Sequence, residues 1–129
     1  MAKYSSKDLD FSVGGESMKA YMIDDTTLAV EAVTEEATAF GDDWEAHIST
    51  GIKRADEVTV GGFYDDTATT GPDAVFNTVG STVAIIITWG VSKTSTFSAI
   101  VKKYERLGSV GQMTRYVSTL QPTGAITEA

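Results

Sequence analysis

The run Thr82-Val83-Ala84-Ile85-Ile86-Ile87-Thr88-Trp89 is β-branched at every position except Ala84 and Trp89. Such side chains are stiff about χ1 and pack well on a pleated surface, so the run reads as a strand. Its apolarity is continuous rather than alternating, as expected of a central strand covered on both faces. The uninterrupted apolar part, Val83 to Ile87, is far shorter than the ~20 residues a membrane helix needs, so neither a span nor membrane binding is expected.

Outward from this run, short strands recur between glycines. Downstream, Ser95 to Leu107 and Met113 to Gln121 are predicted strands around the turn Gly108-Ser109-Val110-Gly111. In the second, period two puts Tyr116 and Leu120 on one face and Arg115, Val117, Thr119 and Gln121 on the other. The same rule sends Lys102 and Lys103 to opposite faces. Upstream, Gly71-Pro72-Asp73 opens a helix to Val79, with Pro pre-set for the first turn and Asp73 at the positive end of the dipole. Val75, Phe76 and Val79 are its expected buried stripe, and Gly80 its stop.

Farther upstream, Glu57 to Tyr64 is a strand with Val58, Val60 and Tyr64 on one face and Glu57, Thr59 and Phe63 on the other; Gly61-Gly62 within it suggests a bulge or close backbone approach. Asp8 to Val13, Gly14-Gly15 and Ser17 to Ile23 read as a hairpin. Thr27 to Val33 is a further strand. From Thr34 to Ser49 the apolar alternation weakens and Glu35, Glu36, Asp42, Asp43 and Glu45 crowd around Gly41 and Trp44, predicting a long acidic loop or extended hairpin. The fold class is therefore mainly β, a β-sandwich or barrel of about seven strands with one short flanking α-helix, in one domain over 1–129.

The chain has 129 residues, no Cys and a net charge of −8. Disulfides, thiolate metal sites and cysteine nucleophiles are excluded, and a free DNA duplex is a poor partner for so acidic a protein. No apolar h-region marks the N-terminus, so synthesis in the cytoplasm is expected. The charge is polarised: residues 1–73 hold 16 of the 18 acids and 5 of the 10 bases, so the front half is acidic and the rest mildly basic. Copies of such a chain attract one another head to tail.

No catalytic constellation emerges. His47 is the only histidine and has neither a nucleophile elbow nor clustered metal ligands to accompany it. The pairs Asp24-Asp25, Asp42-Asp43 and Asp65-Asp66 are sequential, and neighbours on a strand point to opposite faces. A calcium loop begun at Asp66 has Gly71 sixth but fails at Ala68, Thr70 and Asn77. No phosphate-cradling glycine motif is present. The expectation is no enzyme activity, no metal and no cofactor.

The order of features resembles the major tail proteins of long-tailed bacteriophages. Gly41-Asp42-Asp43-Trp44 precedes a strand from Ile52 that runs into Gly61-Gly62-Phe63-Tyr64-Asp65-Asp66, then the short helix; Ser95-Thr96-Phe97-Ser98-Ala99, a Gly-rich turn, Tyr116 to Gln121 and Pro122-Thr123-Gly124-Ala125-Ile126-Thr127 follow. The likeness runs from Leu9 to Thr127. It implies a virion tail tube subunit made in the host bacterial cytoplasm. Such a homo-oligomer forms stacked hexameric rings around a tape-measure protein, bounded by tail terminator and tip proteins, and DNA passes through without specific binding. Under it, Glu35, Glu36, Phe40, Asp42, Asp43 and Trp44 are candidates for stacking against Lys102, Lys103 and Arg106 of a neighbour. Glu57, Thr59, Arg115, Val117, Thr119 and Gln121 are candidates for an acidic lumen, with Arg115 neutralised by Glu57. The alternative is a monomeric β-sandwich binding module for virion decoration or adhesion, using Trp44, Tyr64 and Trp89.

Overall fold

The computed structural model describes residues 9–22, 26–90 and 92–129. Its strands are β1 (Asp10–Val13), β2 (Glu16–Ser17), β3 (Val30–Glu36), β4 (His47–Ala55), β5 (Val58–Phe63), β6 (Thr82–Thr88), β7 (Thr94–Leu107) and β8 (Arg115–Glu128), with one helix, α1 (Pro72–Asn77). Six strands form one curled antiparallel sheet in the order β2-β1-β6-β7-β8-β5, and β3 and β4 pair only with each other. The fold is mainly β, as the pattern of short strands implies.

Alternation builds the core. Phe11 and Val13, Ile85 and Ile87, Phe97, Ala99 and Val101, Tyr116 and Leu120, and Val58 and Val60 all point into the curl and are buried. Each such side chain contributes about 1.5–3 kcal/mol by leaving water. Met18 and Val75 complete this cluster from outside the sheet. β6 is central in strand order, yet Ile86 is exposed on the outward face while Ile85 and Ile87 are buried. Its continuous apolarity therefore marks one covered face and one uncovered face, not two covered ones.

The β1–β2 turn has Gly14 and Gly15 at φ 58° and 90°, the positive values that match a hairpin turn to strand twist. The chain then leaves the sheet: the expected strand from Ser17 stops at once, and Lys19–Tyr21 forms a 3-10 turn with no buried residue. Ile23 and the Asp24-Asp25 pair lie outside the described residues. Tyr21 instead packs its ring against Gly71, where an added Cβ would come within 2.5 Å of it at φ 54°. Glycine is required there by both space and backbone conformation.

α1 buries Pro72 and Val75, whereas Phe76 and Val79 are exposed, so the expected stripe is rotated toward the first turn. Asp73 Oδ2 accepts a 2.7 Å hydrogen bond from the Thr69 amide, tying the helix start to the preceding turn. Gly61 and Gly62 pair in register with Val117 and Tyr116, and β5 has no bulge. The bulges fall elsewhere, between Val101 and Lys103 in β7 and near Gly124 in β8. β8 continues seven residues past the expected end at Gln121, to Glu128.

Candidate functional site

Among the described residues, no catalytic constellation is assembled. His47 is exposed at the start of β4 with Nε2 3.3 Å from Glu45. Among the described residues, no three of His, Asp and Glu converge as metal ligands would, and no helix is long and apolar enough to cross a membrane. Asp65 accepts hydrogen bonds from the Thr67 hydroxyl at 2.6 Å and amide at 2.8 Å, which lower its pKa below the usual carboxylate value. That is a turn motif. The three aromatics of a binding module are also dispersed. Tyr64 follows β5 and Trp89 follows β6, and because these strands run antiparallel their C-terminal ends lie at opposite ends of the sheet. Trp44 stands apart from both on the β3–β4 hairpin.

What the structure does offer is three surfaces. The first is an arm. Segment 34–49 is the outer part of the β3–β4 hairpin, with Glu36 opposite His47 and strand pairing back to Val30 opposite Ala55. Only residues 37–46 lie outside its strands, closed by the Ala37 amide bonding Ala46 O at 2.7 Å and by Asp42 Oδ2 accepting from the Ala39 amide at 2.8 Å. Glu35, Glu36, Asp42 and Asp43 are exposed, as are Val30, Phe40, Trp44, Ile48 and Ile52. A lone two-stranded hairpin is marginal in water, and this one leaves its apolar side chains uncovered.

The second surface is the outward face of β5, β7 and β8. Thr59 pairs with Thr119, Gly61 with Val117 and Phe63 with Arg115, while Tyr116, Ser118 and Leu120 turn inward. Gln121 lies opposite Ile100 on the same outward side. The β7 bulge changes the phase of the strand, so that Lys103 sits opposite outward-facing Thr119, and Lys102 reaches Glu57 on that same face. The expected opposite orientation of the two lysines is overturned by that one extra residue.

The charges on this face are largely self-paired. Lys102 bonds Glu57, and Lys103 lies 2.8 Å from Glu105, which raises the lysine pKa. Glu57 is therefore not the partner of Arg115. The two are six positions apart along β5, about 20 Å at ~3.3 Å per residue, and Arg115 is engaged by other contacts. With Lys102, Lys103 and Arg115 beside Glu57 and Glu105, the face is not the acidic one expected. Arg106 lies apart from it. Its guanidinium sits 4.5 Å from the Tyr64 ring centroid and 5.2 Å from that of Phe76, and Nε donates to the Tyr104 hydroxyl at 3.3 Å. The two lysines and Arg106 thus do not form one basic patch. Their role there is to close pairs within the subunit and to fasten α1 onto β7.

The third surface was not legible in the sequence. At the β7–β8 connection, Leu107, Val110 and Met113 are exposed, and a recess of about 340 Å³ is lined by Leu107, Ser109, Gln112, Met113, Arg115 and Val117. The only local signal is an apolar Val110 within a Gly-rich turn.

No protein-family model matches the chain, and no curated protein matches it. Solved structures do. The subunit in the tail of an empty gene transfer agent particle, which has C6 symmetry, superposes with a TM-score of 0.78 at 14% identity over 98% of this chain and 99% of that one. The chain has the tail-tube fold. A subunit of the anti-feeding prophage baseplate, six-fold symmetrised, gives 0.71 at 10% identity over 100% and 97% of the two chains. The SPP1 tail tube gives 0.63 at 12% over 98% and 78%. A tail-tube fold built on one curled sheet agrees with the order of strands and helix in this sequence.

Proposed function

We propose that this protein is a structural subunit of a phage tail tube, one tail-tube domain over 1–129 that assembles into hexameric rings stacked around a bore through which DNA leaves the capsid. The observation that carries the reading is the end-to-end likeness to a subunit of a C6-symmetric tail. The arm supports it: an acidic hairpin with uncovered aromatics has a use only against a partner, and a second ring supplies one. The outward face around Thr59, Thr119 and Gln121, whose two nearby lysines are paired with Glu57 and Glu105, suits a lumen, because DNA must slide past it without adhering. Tape-measure, terminator and tip proteins would contact the bore and the two tube ends, the tube belongs to the virion, and synthesis takes place in the host cytoplasm. No catalytic role is assigned.

Electron microscopy of the purified protein tests this. Rings or tubes with six-fold symmetry are expected. Dispersed particles of monomer size at every concentration would favour the binding module instead.

A further inference from the structure

The base of the arm and the β7–β8 connection lie at opposite ends of the sheet. β4 enters β5 beside the last residues of β8, where Arg54 and Ala55 line a groove with Ala125 and Ile126. The connection 108–114 precedes the first residue of β8, 14 residues away along a single strand. That is about 45 Å of extended chain at ~3.3 Å per residue. Neither Phe40 nor Trp44 at the arm tip lines the recess of its own subunit, so a contact between the two features is between copies, and it is heterologous.

The two features are complementary in shape and charge. The arm tip presents Phe40 and Trp44, the latter 86% exposed, as knobs with nothing of their own subunit covering them. The far end offers a recess of about 340 Å³ walled by Leu107 and Met113. This is near the lower end of the sizes that hold small organic ligands, and roomy enough for one indole. Residues 34–49 carry five acids and no Lys or Arg, whereas the charged residue lining the recess is the cation Arg115.

We propose that Trp44 of one subunit seats in the Leu107–Met113 recess of a subunit in the next ring, with the acids of the tip held near Arg115 in the recess lining. This rests on the tube reading and names its stacking contact. An aromatic anchor in a desolvated pocket with a polar rim is the usual composition of an interface hot spot. It also reassigns the receiving surface from Lys102 and Lys103, which are occupied within their own subunit, to the connection that follows them.

The chain lacks cysteine, so cross-linking is unambiguous. The double variant D43C/Q112C, beside the knob and in the recess wall, is oxidised after assembly and run without reductant; D43C/K103C is the comparison. A ladder of covalent oligomers from the first pair and little from the second is expected. Tubes without a D43C/Q112C ladder, or a ladder only with K103C, overturn the contact and leave the tube reading intact. A ladder in a solution without rings or tubes supports the contact and overturns the tube. Neither tubes nor ladder overturns both. Trp44→Ala should raise the concentration needed for assembly about tenfold or more, with an unchanged melting curve; normal assembly of that variant overturns the proposal.

Discussion

Lys102 closes an ion pair with Glu57 across the outward face of the sheet, 45 residues away in sequence. An exposed pair of this kind contributes little to folding, and a charge already paired contributes little to steering a neighbour. Lys102→Gln is expected to cost less than about 1 kcal/mol in a urea titration. Its assembly rate by light scattering should stay within about twofold of the parent. A tenfold slower rate would return Lys102 to the stacking contact.

The arm carries none of the buried core. Replacing Glu36 to His47 by Asn-Gly leaves Glu35 opposite Ile48, joined by the preferred two-residue hairpin turn. The shortened protein should melt within a few degrees of the parent by circular dichroism and form no tubes by electron microscopy. Normal tubes from this variant would remove the arm from ring stacking.

Period-two alternation made the core legible, because Tyr116, Leu120, Val58 and Val60 sit on strands without a phase change up to the bulge. The β7 bulge was not legible, since Val101-Lys102-Lys103 carries no glycine to mark the extra residue. The second half of β8 was hidden by Pro122 and Gly124, which read as a stop. Proline is tolerated there because β5 pairs with β8 only as far as Leu120, leaving the strand beyond it at an edge. Segment 34–49 was legible only as a long loop or an extended hairpin, and it is the latter: with no core to face, its strands need no apolar alternation. The exposed face of β6 and the recess by Met113 follow from how the sheet curls and where β7 turns into β8, which no local pattern in the sequence marks.

Gly71 joins the turn before α1 to the ring of Tyr21, at a positive φ. Gly71→Ala combines a strained backbone with a collision, so a loss of about 2 kcal/mol is expected from chemical denaturation. Adding Tyr21→Ala should relieve the collision while leaving the strain, so the double variant is expected to lose less than the sum of the two single changes. Strict additivity would show that the ring does not enforce glycine.

Asp65 is partly exposed, and two hydrogen bonds from Thr67 hold its carboxylate below the ordinary pKa. A lowered folded-state pKa means that the stabilisation is present above the unfolded-state value and is lost as pH falls through the lowered one. Thr67→Val removes the larger, side-chain contribution, so an NMR titration of the Asp65 carboxyl should move upward toward the ordinary value. An unmoved titration would mean that the hydroxyl is not its partner in solution.

The outward faces of β5 and β8 are the proposed wall of the bore, and their register makes that testable. Thr59 and Thr119 are directly opposite each other on the face away from Val58, Val60 and Leu120. Around Thr59 and Thr119 the wall presents hydroxyls to a passing polyanion, and the Lys102–Glu57 and Lys103–Glu105 pairs keep the nearby lysines neutralised. Thr119→Cys changes little in volume at a partly exposed site and should assemble normally. In finished tubes the thiol should react with a small maleimide that diffuses through the open ends, and resist a maleimide carried on a large polymer; the unassembled subunit should react with both. Equal reaction of the tube with the bulky reagent would place this face outside the tube, and protection from both reagents would place it in a contact between subunits.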